Sequence, residues 1–398
     1  MSGPPAQGTP GEVFAAFLRL GLTSFGGPIA HLGYFRTEFV ERRRWLTERA
    51  YVDLVALSQF LPGPASSQTG FAIGLMRGGY LGGLAAWTAF TLPSAVLLLL
   101  FAYGAGGVAD SPAGAGMLHG LKLVAVAIVA QAVLGMARGL CPDKARASIA
   151  VLAIILMLLV PGSFGQAGAI VAGGIAGLVF CRGDAEAVTG TFAMPVSRRV
   201  GIVCLALFLL LLAVSFVPMR DGVFALFSAF YRSGALVFGG GHVVLPLLRD
   251  AVVAPGWVSD STFLAGYGAA QAVPGPLFTF AAYLGAEATV ASGRIAGAVV
   301  ALIAIFLPGL LALMGTLPFW HALRARPGAQ AAMRGVNAAV VGVLGTALYN
   351  PVWTSAVLDA EDFAIAVAGF VLLVAWRAPP LFVVALSAGV GAGLVMIH

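Results

Sequence analysis

The chain has 398 residues, of which 60% are hydrophobic and only 10% are charged, and its mean hydropathy is +0.97. Soluble domains carry about 25% charged residues. This composition therefore excludes a water-soluble globular protein and indicates that lipid surrounds most of the chain. The net charge of +6 does not predict nucleic-acid binding, because the Lys and Arg residues lie in short stretches between apolar segments, as topology signals do.

Residues 1–12 are a short Gly- and Pro-rich tail in which no signal peptide is visible. Apolar segments follow along the rest of the chain, and a full crossing needs about 20 residues. We expect an all-α polytopic membrane protein with these segments: 13–33, 50–74, 79–103, 120–138, 146–160, 166–181, 200–217, 223–245, 263–288, 294–317, 331–350, 362–376 and 380–397.

The sequence contains an internal repeat. Phe25-Gly26-Gly27-Pro28 has a partner in Phe238-Gly239-Gly240-Gly241. Trp45 and Trp257 each stand 17 residues before a Pro-Gly-Pro motif. The remaining paired positions are Arg19 with Arg232, Gln59 with Gln271, Pro62-Gly63-Pro64 with Pro274-Gly275-Pro276, Pro93 with Pro308 and Gly120 with Gly335.

The repeat divides the chain into homologous halves, residues 13–181 and 223–398, of about six membrane segments each. The linker, residues 182–222, carries one further transmembrane helix at about 200–217. An odd number of crossings before the second half reverses its orientation. We therefore expect inverted halves related by a pseudo-two-fold axis in the membrane plane, as in many secondary transporters.

Two topologies remain open for the segments that carry the glycine motifs. If every segment spans, the Arg-rich stretch 36–49 falls opposite most other basic loops. If 13–33, 50–74, 223–245 and 263–288 are broken, re-entrant hairpins, this stretch joins Lys144, Arg146 and Arg182 on the cytoplasmic side. The acidic loop 359–362 then faces outward. The positive-inside rule favours the hairpins.

The Phe-Gly-Gly and Pro-Gly-Pro breaks are the first candidates for chemistry. Helices that begin there leave N–H groups and a partial positive charge at membrane depth, and these groups bind oxyanions. The alternative is that Gly and Pro only allow kinks and close helix packing. The candidate binding residues are Ser24, Gly26, Gly27, Gln59, Pro62, Gly63, Pro64, Ser66, Gly239, Gly240, His242, Gln271, Pro274, Gly275 and Pro276; His31, Ser67, Gln68, Thr69 and Thr279 also lie beside the breaks.

Charged residues inside apolar segments are the second set of candidates, because a membrane charge usually faces a cavity or a partner. Arg19 and Arg232 each lie about 9 Å before a glycine break by helix rise, and Lys122 begins another segment. Each fits anion binding, or else snorkels to the interface. Asp53 and Glu287 could carry a coupling proton, or else lie at the interface as helix-end charges.

Motifs for cofactor-dependent catalysis are absent. The sequence contains no GxxxxGK[ST] phosphate loop, HExxH motif, CxxC pair or GxSxG motif. We expect neither a cofactor nor a metal nor an enzyme.

The pattern Gly26-Gly27, Val40, Trp45, Pro62-Gly63-Pro64, Gly74 and Gly82, which largely recurs in the second half, resembles the chromate ion transporter (CHR) family. It is most similar to the long-chain members that carry both halves in one polypeptide. The resemblance implies gradient-driven export of chromate across the bacterial inner membrane, giving chromate resistance. A sulfate or general oxyanion carrier, and an anion channel, remain alternatives, and a homodimer is left open.

Overall fold

The computed structural model describes residues 8–25, 27–109, 111–160, 163–182, 196–218, 221–238, 243–291, 293–324 and 326–397. These residues form helices and connecting turns, with no β-strand among them. The helices of the first half are α1 (Pro10–Thr23), α2 (Gly27–Arg36), α3 (Glu48–Phe60), α4 (Ala65–Ala109), α5 (Pro112–Leu140), α6 (Lys144–Leu159) and α7 (Ser163–Phe180). A π-helical turn, Thr37–Arg42, follows α2.

The linker and the second half are also helical. Short 3-10 turns, Leu277–Thr279 and Leu317–Phe319, and a π-helical turn, Leu348–Trp353, connect some of the helices. The helices are α8 (Arg198–Ser215), α9 (Val223–Ala235), α10 (Val244–Val252), α11 (Asp260–Ala272), α12 (Phe280–Glu287), α13 (Arg294–Thr316), α14 (Trp320–Arg324), α15 (Pro327–Ala347), α16 (Thr354–Ala356), α17 (Ala360–Val374) and α18 (Pro380–Ile397).

Helices are interrupted at the repeated motifs, as the sequence predicts. α1 ends one residue before Ser24, and α3 gives way to an extended Leu61 before the first Pro-Gly-Pro. In the second half α9 ends before Leu236, and α11 ends at an extended Val273. α1, α3, α9 and α11 therefore each end just before one of the repeated motifs.

Five helices are long and apolar enough to cross a membrane: Ala65–Gly104, Pro112–Leu140, Arg198–Ser215, Arg294–Phe319 and Pro327–Ala356. α4 is bent at Gly78 and Gly79, where the backbone leaves the helical region. Large apolar side chains remain exposed along α6, α7 and α8, for example Leu159, Ile175 and Leu209. Exposed apolar helix surfaces of this extent are suited to contact with lipid.

The halves exchange helices at their contact. α5 packs on α18 so closely that a Cβ on Gly120 would lie 2.1 Å from the Ser387 carbonyl oxygen. The corresponding helices α15 and α7 meet in the same way, because a Cβ on Gly335 would lie 2.0 Å from the Gly173 carbonyl oxygen. Small residues allow backbones to approach this closely in membrane helices. Each half therefore places its last helix against the other half.

Candidate functional site

The repeated motifs are joined by a reciprocal pair of backbone hydrogen bonds. The amide of Gly63 donates to the carbonyl of Val237 at 2.8 Å, and the amide of Gly275 donates to the carbonyl of Ser24 at 2.9 Å. Each donor is the glycine of a Pro-Gly-Pro motif, and each acceptor precedes the Phe-Gly-Gly motif of the other half. An exchange of equivalent contacts is the pattern of an isologous, two-fold interface. The motif residues that the structure describes therefore meet in one region.

Both Pro-Gly-Pro glycines have positive φ values, +114° for Gly63 and +96° for Gly275. A Cβ on Gly63 would lie 2.8 Å from Gly309 Cα, and one on Gly275 would lie 2.9 Å from Ser94 Oγ. Ser94 and Gly309 are themselves equivalent, since each follows the proline inside its long helix. Only glycine combines this backbone conformation with this close approach.

Gln68 fixes this contact on the first-half side. Its Nε2 donates to the carbonyl of Pro62 at 2.9 Å and to the carbonyl of Gly309 at 2.8 Å. One buried side chain thus links a break of the first half to a long helix of the second.

The N-termini of α2 and α4 converge beside this contact. His31, one turn into α2, places Nδ1 3.4 Å from Oγ of Ser66, the second residue of α4. The first N–H groups of both helices have no carbonyl partner within their own helix, and both helix dipoles present their positive ends here. This arrangement suits a negatively charged group.

Buried polar atoms without a partner surround these helix ends. Ser24, His31 and Ser67 are 1%, 1% and 2% exposed. Their Oγ, Nε2 and Oγ atoms, and Oγ1 of Thr91, accept or donate no hydrogen bond within the described residues. Buried polar atoms in proteins are almost always hydrogen-bonded. An anion with several acceptor oxygens would satisfy the hydroxyl and imidazole donors together.

The equivalent positions of the second half are apolar. Ser24, His31 and Thr91 correspond by the repeat register to Val237, Val244 and Phe306, each at most 1% exposed. After the second Pro-Gly-Pro the chain continues as Leu277-Phe278-Thr279-Phe280, and the Thr279 hydroxyl already donates to the carbonyl of Pro276. The described polar side chains at the α2 and α4 N-termini therefore come from the first half.

The remaining arginine, lysine and glutamine candidates have different surroundings. Arg19 and Gln59 are exposed. Arg232 donates from Nη1 to the carbonyl of Ser215 at 2.8 Å and stacks over Phe216. Lys122 is half-buried on α5, and Gln271 keeps a buried Nε2 without a partner. The predicted residues Gly26, Gly239, Gly240 and His242 lie outside the described residues.

Two polar residues of this region were missed by reasoning from the sequence. Thr91 and Ser94, both 1% exposed, flank Pro93 inside α4. A proline inside a helix removes one backbone hydrogen bond, and adjacent hydroxyls in an otherwise apolar segment are the signal that could have identified the pair.

Comparison of the sequence with known proteins assigns the chain to a family. The sequence profile described as "Chromate transporter" matches residues 11–178 and 224–392. The chain belongs to the chromate transporter family. It is 30% identical over 402 residues, 98% of this chain and 94% of the relative, to the "Chromate transport protein" of Pseudomonas aeruginosa.

Other relatives of this chromate transporter family member are more distant. The "Chromate transport protein" of Cupriavidus metallidurans is 27% identical, covering 82% of this chain and 79% of its own length. The "Probable chromate transport protein" of Synechococcus elongatus is 28% identical, covering 83% of this chain and 82% of its own length. No solved structure matches. Family membership and the apolar helices together establish a multi-pass membrane protein.

Proposed function

We propose that this protein is a secondary carrier that exports chromate across the bacterial cytoplasmic membrane and thereby gives chromate resistance. The names of its relatives supply the substrate. The observation that carries the proposal is the convergence of the α2 and α4 N-termini beside three buried atoms without a described partner, Oγ of Ser24, Nε2 of His31 and Oγ of Ser67.

Chromate fits this site because it is a tetrahedral dianion with oxygens pointing in four directions. Backbone N–H groups of the first turns of α2 and α4 would bind some of these oxygens, and the Ser24 and Ser67 hydroxyls would bind others. Charge-assisted hydrogen bonds of this kind are about twice as strong as neutral ones. No formal positive charge has to be buried, which avoids a large desolvation penalty.

Alternating access is proposed to arise from the two halves, residues 13–181 and 223–398, arranged as an inverted repeat of about twelve membrane segments. The reciprocal bonds Gly63–Val237 and Gly275–Ser24 support a pseudo-two-fold relation. At a pseudo-symmetric contact, each half can adopt the conformation that the other half has now. Rocking between these two arrangements would expose the site to each side of the membrane in turn.

Charge placement supports the inverted orientation. Asp143 caps α6 and Asp359 caps the equivalent helix α17. Beside these caps, the pair Arg146 and Arg334 corresponds by the repeat register to Asp362 and His119. The basic pair Arg146 and Arg334 fits a cytoplasmic corner, and its replacement by Asp362 and His119 fits an outer one.

Sulfate is the closest alternative substrate, because it has the same charge and shape as chromate. An anion channel is a second alternative, and transport driven by a gradient separates a carrier from it. The test is uptake of labelled chromate into inverted membrane vesicles, with and without a proton gradient and with excess sulfate. Gradient-dependent uptake that sulfate does not block is expected. Equal competition by sulfate would indicate a general oxyanion carrier, and uptake indifferent to the gradient would contradict proton coupling.

The two arginines are proposed to attract the anion to the site or to gate its passage. Arg19→Gln with Arg232→Gln should abolish uptake while leaving folded protein in the membrane. Arg232 also bonds to the Ser215 carbonyl, so Arg19→Gln alone separates anion binding from anchoring of the linker. Wild-type uptake by the double variant would refute the role of both arginines.

A further inference from the structure

A cavity of about 530 Å³ opens between the start of α6, the end of α7 and the N-terminal half of α15. It lies away from the site described above, and its lining carries more positive than negative charge. The residues that matter are Asp143, Lys144, Arg146, Phe180, Arg182 and Arg334. Ligand pockets are commonly of this size.

Only one of these cations is neutralised by a described carboxylate. Arg146 Nε pairs with Asp143 at 2.6 Å. Arg334 donates from Nε to the Cys181 carbonyl at 3.0 Å, while its Nη2 is buried and bonds to nothing among the described residues. Arg182 bonds within that part of the chain only to the Leu178 carbonyl of its own helix. Lys144 is exposed at the start of α6.

The equivalent corner of the second half is different. There His119 Nε2 and Asp362 Oδ1 lie 2.6 Å apart, and these residues correspond by the repeat register to Arg334 and Arg146 of the basic cavity. The Asp362 carboxylate also accepts from the Leu358 amide. The fold thus permits a corner that pairs its own charges, and the excess of cations belongs to the first-half corner alone.

We propose that this cavity binds the phosphate group of an anionic membrane lipid. Three cations with donors to spare match a phosphate, and arginine in particular binds phosphate through two parallel hydrogen bonds. Phe180 lines the cavity and is 69% exposed, and Val179 beside it is 56% exposed. An acyl chain would cover this apolar rim while the headgroup occupies the basic cavity, which favours a lipid over a free anion. Basic pockets between membrane helices bind such headgroups.

The experiment measures binding to the purified full-length protein in detergent. The probes are phosphatidylglycerol, phosphatidylcholine and inorganic phosphate, followed by thermal stability and native mass spectrometry. Lys144→Gln with Arg182→Gln tests the cavity, since both side chains are exposed and their loss should not unfold the protein. Arg198→Gln with Arg199→Gln, an exposed basic pair at the start of α8, is the matched control.

We expect phosphatidylglycerol to bind more tightly than phosphatidylcholine, and the cavity variant to lose about fivefold in affinity for each charge removed. The control should bind as the wild type does. Equal binding by the cavity variant and the control, or no preference for the anionic lipid, would overturn the proposal. Binding of inorganic phosphate without binding of phosphatidylglycerol would also overturn it, in favour of a free oxyanion site.

One further variant tests the chain's own carboxylates. Asp184 and Glu186 follow Arg182 in the sequence and lie outside the described residues. If Asp184→Asn with Glu186→Gln binds phosphatidylglycerol and the wild type does not, a segment of the chain occupies the cavity and the lipid proposal fails. Equal binding by both proteins supports it.

Discussion

The two halves share the backbone conformation of their Pro-Gly-Pro glycines and differ in the chemistry of the side chains around them. Gly63 and Gly275 share a positive φ and donate equivalent hydrogen bonds across the contact. Around the first break the buried side chains are polar, with Ser24 and His31 as examples, whereas their second-half equivalents are valines. The repeat therefore preserves the geometry of the contact, while the buried polar side chains described around it lie in the first half.

The equivalent helices that precede the two Pro-Gly-Pro motifs, α3 and α11, also differ in burial. Residues 263–270 of α11 are buried throughout, and Gly268 packs against the Leu121 carbonyl of α5. In α3, Val52 is 54% exposed, while its equivalent Leu264 is fully buried. The equivalent helices α3 and α11 therefore differ in burial. We propose from this difference that α3 moves against a fixed α11 during transport.

The largest expected effect comes from removing the glycine that joins the halves. Gly63→Ala should lower the free energy of unfolding by about 2–4 kcal/mol, because it adds backbone strain and a clash with the Gly309 backbone. Gly275→Ala should cost less, since the atom nearest to its new Cβ is the Ser94 hydroxyl, which can rotate away. Thermal unfolding of the detergent-purified variants measures both.

Gly135→Ala is the control for these variants, because a Cβ added to this residue of α5 would meet nothing within 4 Å. It should be neutral or slightly stabilising. A Gly63→Ala protein as stable as this control would contradict the view that the two halves depend on this contact.

Sequence reasoning located the breaks and many of the polar residues near them, since repetition identifies which positions correspond. It did not locate the partners of Gly63 and Gly275, because Ser24 and Val237 differ in side chain and share only a backbone carbonyl as acceptor. It also could not orient Arg19 and Arg232. Distance along the helix fixes how far each arginine lies from the break. Tertiary packing decides that the Arg19 side chain is exposed, whereas the Arg232 side chain contacts Ser215.

The next effect separates binding from stability. Ser67→Ala should reduce chromate uptake by about 10- to 100-fold, the value of one hydrogen bond to a charged group. Its Oγ has no described partner, so its loss should leave the thermal unfolding temperature unchanged or slightly higher. Thr279→Val at the equivalent position should do the reverse, because its hydroxyl bonds to Pro276 while uptake depends on the first half. Equal losses of uptake in both variants would mean that the halves share the site.

A smaller effect concerns a charged cluster after α2 that has no counterpart at the equivalent described positions of the second half. Glu38 accepts from Arg42 at 3.0 Å and from Arg43 at 2.6 Å, while its second-half equivalent is the buried Ala251. Burial acts to raise the pKa of the Glu38 carboxyl, but the hydrogen bonds from Arg43 and Arg42 outweigh burial and lower the pKa. The ion pairs therefore stabilise the hairpin above the ordinary carboxyl pKa, and this contribution is lost as the pH falls through the lowered value.

Glu38→Gln should cost about 1 kcal/mol at neutral pH, less than a fully buried charged pair, because Arg42 is largely exposed. The difference from the wild type should shrink as the pH falls through the lowered pKa of Glu38, because the wild-type carboxyl then becomes protonated too. Thermal unfolding over a series of decreasing pH values measures the change, and a difference that does not shrink would show that the charge of Glu38 is not its cause.

The smallest expected effect concerns an ion pair that is present at equivalent positions of both halves. Arg36 pairs with Glu48 at 2.8 Å, and the equivalent Arg249 pairs with Asp260 at 2.9 Å. The double-mutant cycle for Arg249 and Asp260 should give a coupling energy of about 0.2–1 kcal/mol, because both side chains are partly exposed to solvent. The cycle for Arg36 and Glu48 should give a weaker coupling. The value should be larger for Arg249, whose side chain is 26% exposed against 47% for Arg36. We expect the first-half segment to move more and therefore to hold its ion pair for less of the time. Adding chromate should then increase the Arg36–Glu48 coupling energy and leave the Arg249–Asp260 coupling energy unchanged. Coupling energies that respond equally to chromate would place the motion in both hairpins.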